Sequence, residues 1–234
     1  MAIDISNLTF SYTGSEAQSV LSIPAWHVEE GEHVFLYGPS GSGKSTLLNI
    51  LAGILKPLSG TVELLGSPFS ALSARKRDEF RARHIGVVFQ QFNLVPYLSV
   101  LDNILLAAHF GSRKTPEGRR SSADVQARAE ALLARLSLDK SLLHQRADAL
   151  SVGQQQRVAI VRALINDPEL VIADEPTSAL DSDARDQFID LLLECVGDGK
   201  RALIFVSHDR SLASHFSTSV DLQTLNQKAH VHAA

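Results

Sequence analysis

The sequence predicts an α/β fold with three parts: a buried parallel sheet as core, an antiparallel sheet near the N-terminus, and an inserted helical lobe. Three observations carry this expectation. Apolar residues alternate through Ile3, Ile5, Leu8 and Phe10, the period-two pattern of a half-buried strand. Two short runs further on are apolar on both faces and follow helical segments, as in a buried parallel sheet. The stretch from about residue 101 to 150 has few strand signals and reads as helices. The length agrees: 234 residues at roughly 150 per domain give about one and a half domains, a core with a smaller lobe.

Taken in order, the alternating N-terminal strand is followed by Val20-Leu21-Ser22-Ile23 and a turn at Glu29-Glu30-Gly31. Val34-Phe35-Leu36-Tyr37 is a short apolar strand that runs into a glycine-rich loop, and Leu47, Leu48, Ile50 and Leu51 then keep helical spacing. Further strands are expected at Thr61–Leu65, Ile85–Phe89, Leu170–Ala173 and Ala202–Val206. Between the last two, Ala184, Phe188, Leu191, Leu192, Cys195 and Val196 form a helix stripe that places Cys195 in the core as a bland buried thiol. The expected organisation is a single domain over 1–234, with core at 1–91 and 166–234 and a helical lobe at 92–165. The basic, breaker-rich segment Gly111 to Arg120 interrupts that lobe and reads as a solvated loop, with contact to acidic lipid headgroups as the alternative.

Composition narrows the function. Twenty-two Lys+Arg against 26 Asp+Glu leave a net charge of −4, which argues against an electrostatic nucleic-acid binder. One cysteine cannot form an internal disulfide and fits a reducing compartment. The N-terminus lacks the basic and apolar regions of a secretory signal. The longest uncharged stretch, between His84 and Leu101, contains Gln90, Gln91, Asn93 and Pro96, whose desolvation opposes a membrane span.

Gly38-Pro39-Ser40-Gly41-Ser42-Gly43-Lys44-Ser45-Thr46 matches G-x-x-x-x-G-K-[ST] between an expected strand and an expected helix. Its glycines let successive N–H groups face phosphate oxygens, and the helix start adds partial positive charge. Lys44 supplies a cation for the β and γ phosphates and Ser45 a hydroxyl for Mg2+. Leu170-Val171-Ile172-Ala173-Asp174-Glu175 is a buried strand ending in two carboxylates. Asp174 is placed to hold magnesium through its water shell, and Glu175 to polarise an attacking water.

Ser151 with Gln154 three residues later forms a capping box before Val158, Ile160, Val161 and Leu164. With Gly153 inside it, this helix start is a second anion site far from the first, and a second copy arranged head to tail would bring the two together. His208 and Gln90 each follow a strand at the sheet edge where ligands of open α/β sheets bind. Gln90 could bond both a magnesium-bound water and the attacking water. Tyr12 lies near the N-terminal strand, where an aromatic usually serves core or hairpin packing.

Together these motifs resemble the nucleotide-binding subunit of an ATP-binding cassette (ABC) transporter, in order and spacing from Tyr12 to His208. The phosphate loop alone indicates a P-loop NTPase core; the signature Leu150-Ser151-Val152-Gly153-Gln154 makes the resemblance specific. It implies the ABC ATPase fold, the cofactors ATP and Mg2+, and a role for each matched residue. Tyr12 would stack on adenine, Gly38 to Thr46 would hold the phosphates, and Gln90 would sense the γ-phosphate. Ser151 and Gly153 would contact the partner's nucleotide, Asp174 the magnesium, and Glu175 would be the base. Ser178-Ala179-Leu180-Asp181 would link the two sites and His208 would be the switch histidine. Val152 stands where the family usually has glycine; with Ser151 and Gly153 retained, the resemblance implies that binding survives while the added side chain loosens or slows closure.

The stretch Arg81 to Pro96 is similar to the branch that works with four-span permeases: lipoprotein-releasing, macrolide-exporting and cell-division complexes. The implied protein is peripheral to the cytoplasmic face of a bacterial inner membrane, with an integral membrane permease and a second copy of itself as partners and no nucleic acid. Phe92, Leu94, Val95, Pro96, Tyr97 and Leu98 are the expected permease surface. Alternatives are a polar-solute importer subunit, a soluble cassette of DNA repair or translation, and a regulatory module that binds ATP and hydrolyses it weakly.

Overall fold

The computed structural model describes residues 1–14, 18–111, 121–178, 180–197 and 199–227. Ala179 and the basic stretch 112–120 lie outside them.

The N-terminal alternation becomes β1 (Ile3–Phe10), which pairs antiparallel with β2 (Leu21–Val28). On its other side β1 pairs antiparallel with β4 (Ser59–Leu64), giving the order β2-β1-β4. β4 begins two residues before the expected strand and stops at Leu64. Leu65 and Gly66 both take left-handed backbone (φ 51° and 71°), which turns the chain out of the ladder.

The second sheet is parallel. It holds β3 (His33–Tyr37), β5 (Ile85–Val88), β6 (Leu170–Asp174), β7 (Ala202–Ser207) and β8 (Thr218–Asp221) in the order β5-β6-β7-β3-β8. β5 ends one residue earlier than expected and β6 one later, because Asp174 still pairs with Val206. This sheet divides two apolar clusters. Val34, Leu36, Ile172, Ile204 and Val206 face α1 (Lys44–Leu51) and the antiparallel sheet, while Phe35, Val171, Ala173, Leu203 and Phe205 face the helices. Burial on both faces explains why these strands read as unbroken apolar runs.

Among the described residues, the segment expected to form the lobe holds three α-helices, α3 (Val100–Gly111), α4 (Ser122–Arg135) and α5 (Val152–Leu164), with two short 3-10 turns before α5. Their apolar stripes share one continuous cluster with the parallel sheet and with α6 (Ser182–Val196), where Cys195 is buried. Burial pushes the Cys195 thiol up, away from a reactive thiolate.

Several elements lie outside the sequence-based expectation. The helix α2 (Ala74–His84) buries no residue and has no apolar stripe; Ser73 caps it by accepting from the Lys76 N–H. Strand β8 has four residues and continues into α7 (Leu222–Leu225). Among the described residues, no helix is long and apolar enough to cross a membrane.

Candidate functional site

The turn from β3 into α1 builds the phosphate loop. Gly41 and Gly43 have φ of 77° and 104°, a region that disfavours side chains, and a Cβ on Gly43 would lie 2.7 Å from Leu21 Cδ2. The helix start receives no side-chain cap at Gly43, so its first amides remain for an anion. Lys44 is 8% exposed and donates to the carbonyls of Gly38 (2.7 Å) and Pro39 (3.1 Å). A phosphate therefore competes with the loop's own carbonyls for this ammonium.

A cleft of about 560 Å3 is lined by Ser40, Gly41, Gly43, Lys44, Ser45 and Thr46 together with Val20, Glu175 and His208. It brings the phosphate loop and two strand-end groups into one space. β6 delivers the carboxylates. Glu175 sits one residue past the strand with φ 43°, its N–H bonded to the Val206 carbonyl at 2.9 Å. Its Oε2 lies 3.2 Å from Nδ1 of His208, which leaves the end of β7. Tyr12 is exposed beside this cleft; its hydroxyl is 3.1 Å from Thr46 Oγ1 and its ring meets Phe10 edge-on.

Asp174 ends β6 half-buried. Burial raises its carboxyl above the usual carboxylate range, the neighbouring Glu175 charge adds to this, and Lys44 opposes it. Ser45 and Glu175 line the cleft and Asp174, the residue before Glu175, is not part of its lining; all three offer the hard oxygen donors that a divalent cation takes. These residues fit Mg2+ held largely through water and phosphate. Among the described residues, no group of three or more His, Cys, Asp or Glu forms a closed metal cage. Gln90 is exposed just after β5 and does not line the cleft.

The signature residues stand apart. Ser151 caps α5, accepting from the Gln154 N–H at 3.3 Å, while the Ser151 N–H donates to Gln154 Oε1 at 2.9 Å. Gln154, expected to bind nucleotide, thus spends its side chain on the capping box. A Cβ on Gly153 would meet nothing within 4 Å, and Val152 is 50% exposed. None of Ser151, Gly153 or Gln154 lines the cleft that holds Lys44 and Glu175.

Three residues escaped the sequence reading. Val20 lines the cleft. Gln156, fully buried in α5, donates to the Pro176 carbonyl beside Glu175. Arg162, at the other end of α5, donates to the carbonyls of Phe92 (2.7 Å) and Asn93 (2.5 Å), both in left-handed backbone just after Gln90. A third glutamine in a run of three, and an arginine on an apolar helix, were the available signals.

The parallel sheet and the loop from Gly38 to Thr46 give the chain a P-loop NTPase core. The family model described as "ABC transporter" matches residues 21–178. The lipoprotein-releasing system ATP-binding protein LolD of Pseudomonas fluorescens is 41% identical over 210 residues, covering 90% of this chain and 89% of that protein. The macrolide export ATP-binding/permease protein MacB of Rhodopseudomonas palustris is 40% identical over 195 residues, 83% of this chain and 28% of that longer protein. A solved dimeric ATP-binding cassette in a post-hydrolysis state, bound to ADP and Pi, superposes with a TM-score of 0.82 at 35% identity, covering 94% of this chain and 93% of that one. The chain belongs to the ABC transporter family, as an ATP-binding and ATP-hydrolysing subunit.

Proposed function

We propose that two copies of this subunit close head to tail around two ATP molecules and use hydrolysis to drive an integral membrane permease. The observation that carries this reading is the separation of the two anion sites. Lys44, Ser45, Glu175 and His208 share one cleft, whereas Ser151 caps the start of α5 and Gly153 lies in its first turn, neither of them lining that cleft. A second copy supplies the missing half of each site. The solved cassette bound to ADP and Pi is itself dimeric.

In this scheme the Gly41–Lys44 amides and the Lys44 ammonium bind the phosphates, with Lys44 leaving its loop carbonyls. Ser45 and Asp174 would hold Mg2+, with Gln90 joining them once closure carries it in from outside the cleft, and the ion would supply positive charge against the phosphates. Glu175 accepts a proton from the attacking water, and His208, bonded to that carboxylate, holds its direction. Tyr12 offers a free ring face to the adenine.

The lobe at 92–165 is the moving part, and the permease docks beside it. A groove of about 580 Å3 lies between α2, the loop after β5, α3 and α5, lined among others by Arg81, Phe89, Asn93, Ala107, Phe110 and Ala163. Phe110 is 47% exposed. The expected surface 92–98 divides here: Phe92 belongs to the core, while Tyr97 is 69% exposed but outside this groove. The similarity to LolD and MacB supports a four-span permease of the extrusion type. The subunit would then be peripheral to the cytoplasmic face of a bacterial inner membrane.

The test is co-purification with native membranes, followed by identification of the integral protein retained. Phe110→Asp should abolish retention and permease stimulation while leaving the ATPase activity of the isolated subunit within about twofold. Retention of the same integral protein by the aspartate variant would move the docking surface elsewhere.

A further inference from the structure

Residues after β8 reach back to the phosphate loop. Asn226 is 8% exposed and spends both ends of its amide on segments about 200 residues away in sequence. Its Oδ1 accepts from the Ser22 N–H at 2.7 Å, and its Nδ2 donates to the carbonyls of Val20 (3.0 Å) and Ser42 (3.2 Å). One donor and two acceptors around it fix which end is oxygen and which is nitrogen. The neighbouring Gln227 N–H adds a bond to the Ser22 carbonyl at 2.8 Å, and Leu222 Cβ lies 3.5 Å from the position a Cβ on Gly38 would take.

The bond to Ser42 has a consequence for the phosphates. In a planar trans peptide the carbonyl and the following N–H point in opposite directions. Holding the Ser42 carbonyl on Asn226 turns the Gly43 N–H away from Asn226, and Gly43 lines the cleft shared with Lys44, Glu175 and His208. Gly43 has φ 104° and no side chain to restrict its peptide, so this plane needs an external hold. Among the described residues, Asn226 provides the only side-chain hydrogen bond from outside the loop to the backbone of residues 38–43. The same amide fixes Val20 and Ser22, which keeps Leu21 against Gly43.

We propose that Asn226 is a positioning residue of the ATP site, which holds the Ser42 carbonyl outward and aims the Gly43 N–H at the nucleotide phosphates. The proposal rests on the phosphate loop being the ATP site, and Lys44→Ala is the control for that: an unchanged ATP affinity there would fault the loop assignment and not Asn226.

The experiment measures ATP binding by titration calorimetry, kcat and KM for ATP, and thermal melting without nucleotide, on the full chain. Asn226→Ala removes the hold and should raise both Kd and KM about tenfold, the worth of one N–H bond to a charged acceptor. Its kcat should stay within about twofold. Asn226→Asp has the same size and keeps the acceptor for Ser22, but it cannot donate to the two carbonyls and adds negative charge beside the loop. It should bind ATP more weakly than the alanine variant. Folded variants with wild-type Kd and KM, or with lowered kcat at unchanged KM, would overturn the proposal. So would loss of the fold in both, which would make Asn226 a structural clamp alone.

Discussion

Replacing Glu175 with glutamine separates binding from chemistry. The carboxylate is held by three constraints: left-handed backbone at φ 43°, the N–H bond to Val206 at 2.9 Å, and the 3.2 Å contact with His208 Nδ1. Glutamine has the same shape, and its amide oxygen can keep the contact with the histidine. What it loses is the ability to accept a proton. Loss of general-base help costs about 10²–10⁴ in rate, or roughly 3–5 kcal/mol of barrier at about 1.36 kcal/mol per decade. Steady-state phosphate release at saturating ATP and Mg2+ should fall by that factor. ATP affinity should change less than about threefold, and the melting temperature by less than about 2 °C, since no packing is removed. Turnover within tenfold of wild type, in a variant that binds ATP normally, would refute Glu175 as the base and pass the role to another group in the cleft.

The signature and the lobe give further tests. Val152 is half-exposed at the first position of α5, so Val152→Gly should raise ATPase activity or the ATP-bound dimer fraction, at a cost of up to about 1 kcal/mol in helix stability; unchanged kinetics would mean that the signature tolerates the side chain. Asp167 joins Arg128 of α4 to Arg201 just before β7. Burial opposes its ionisation, but the hydrogen bonds and charges of Arg201 and Arg128 outweigh this and leave its carboxyl below the usual range. Its stabilisation is therefore complete above the ordinary carboxylate pKa and is lost as pH falls through the lowered value. Asp167→Asn should lower the melting temperature by a few degrees at most near neutral pH, because the side chain is nearly half-exposed; a gap from wild type that fails to close in acid would contradict the assignment.

Legibility followed the range of the interaction. The loop from Gly38 to Thr46 was readable because its chemistry is local: glycines for positive φ, a lysine and a hydroxyl at fixed offsets. β6 and β7 were readable because burial on both faces leaves unbroken apolar runs. Helix α2 was not, since it fully buries no residue, packs on the core through the half-buried Phe80, and carries no apolar stripe. Strand β8 was not, since its four residues include Thr218, Ser219 and Asp221 and it gains its place through long-range pairing with β3. The ties made by Arg162 and Asn226 join segments 69 or more residues apart to backbone carbonyls, which leave no mark in local sequence. The reading of Gln154 as a nucleotide contact met a competing local bond, the capping box that its own spacing announced.

The central claim is that the two anion sites of one chain serve different nucleotides. Light scattering on the Glu175→Gln variant, with and without ATP and Mg2+, tests it most directly. A monomer of 25.4 kDa without nucleotide should become a species of twice that mass with ATP, and Ser151→Glu, which puts a negative charge at the capped helix start, should keep it monomeric while ATP still binds. The same mass in both nucleotide states, or an ATP-dependent dimer that survives the Ser151 substitution, would contradict the head-to-tail arrangement.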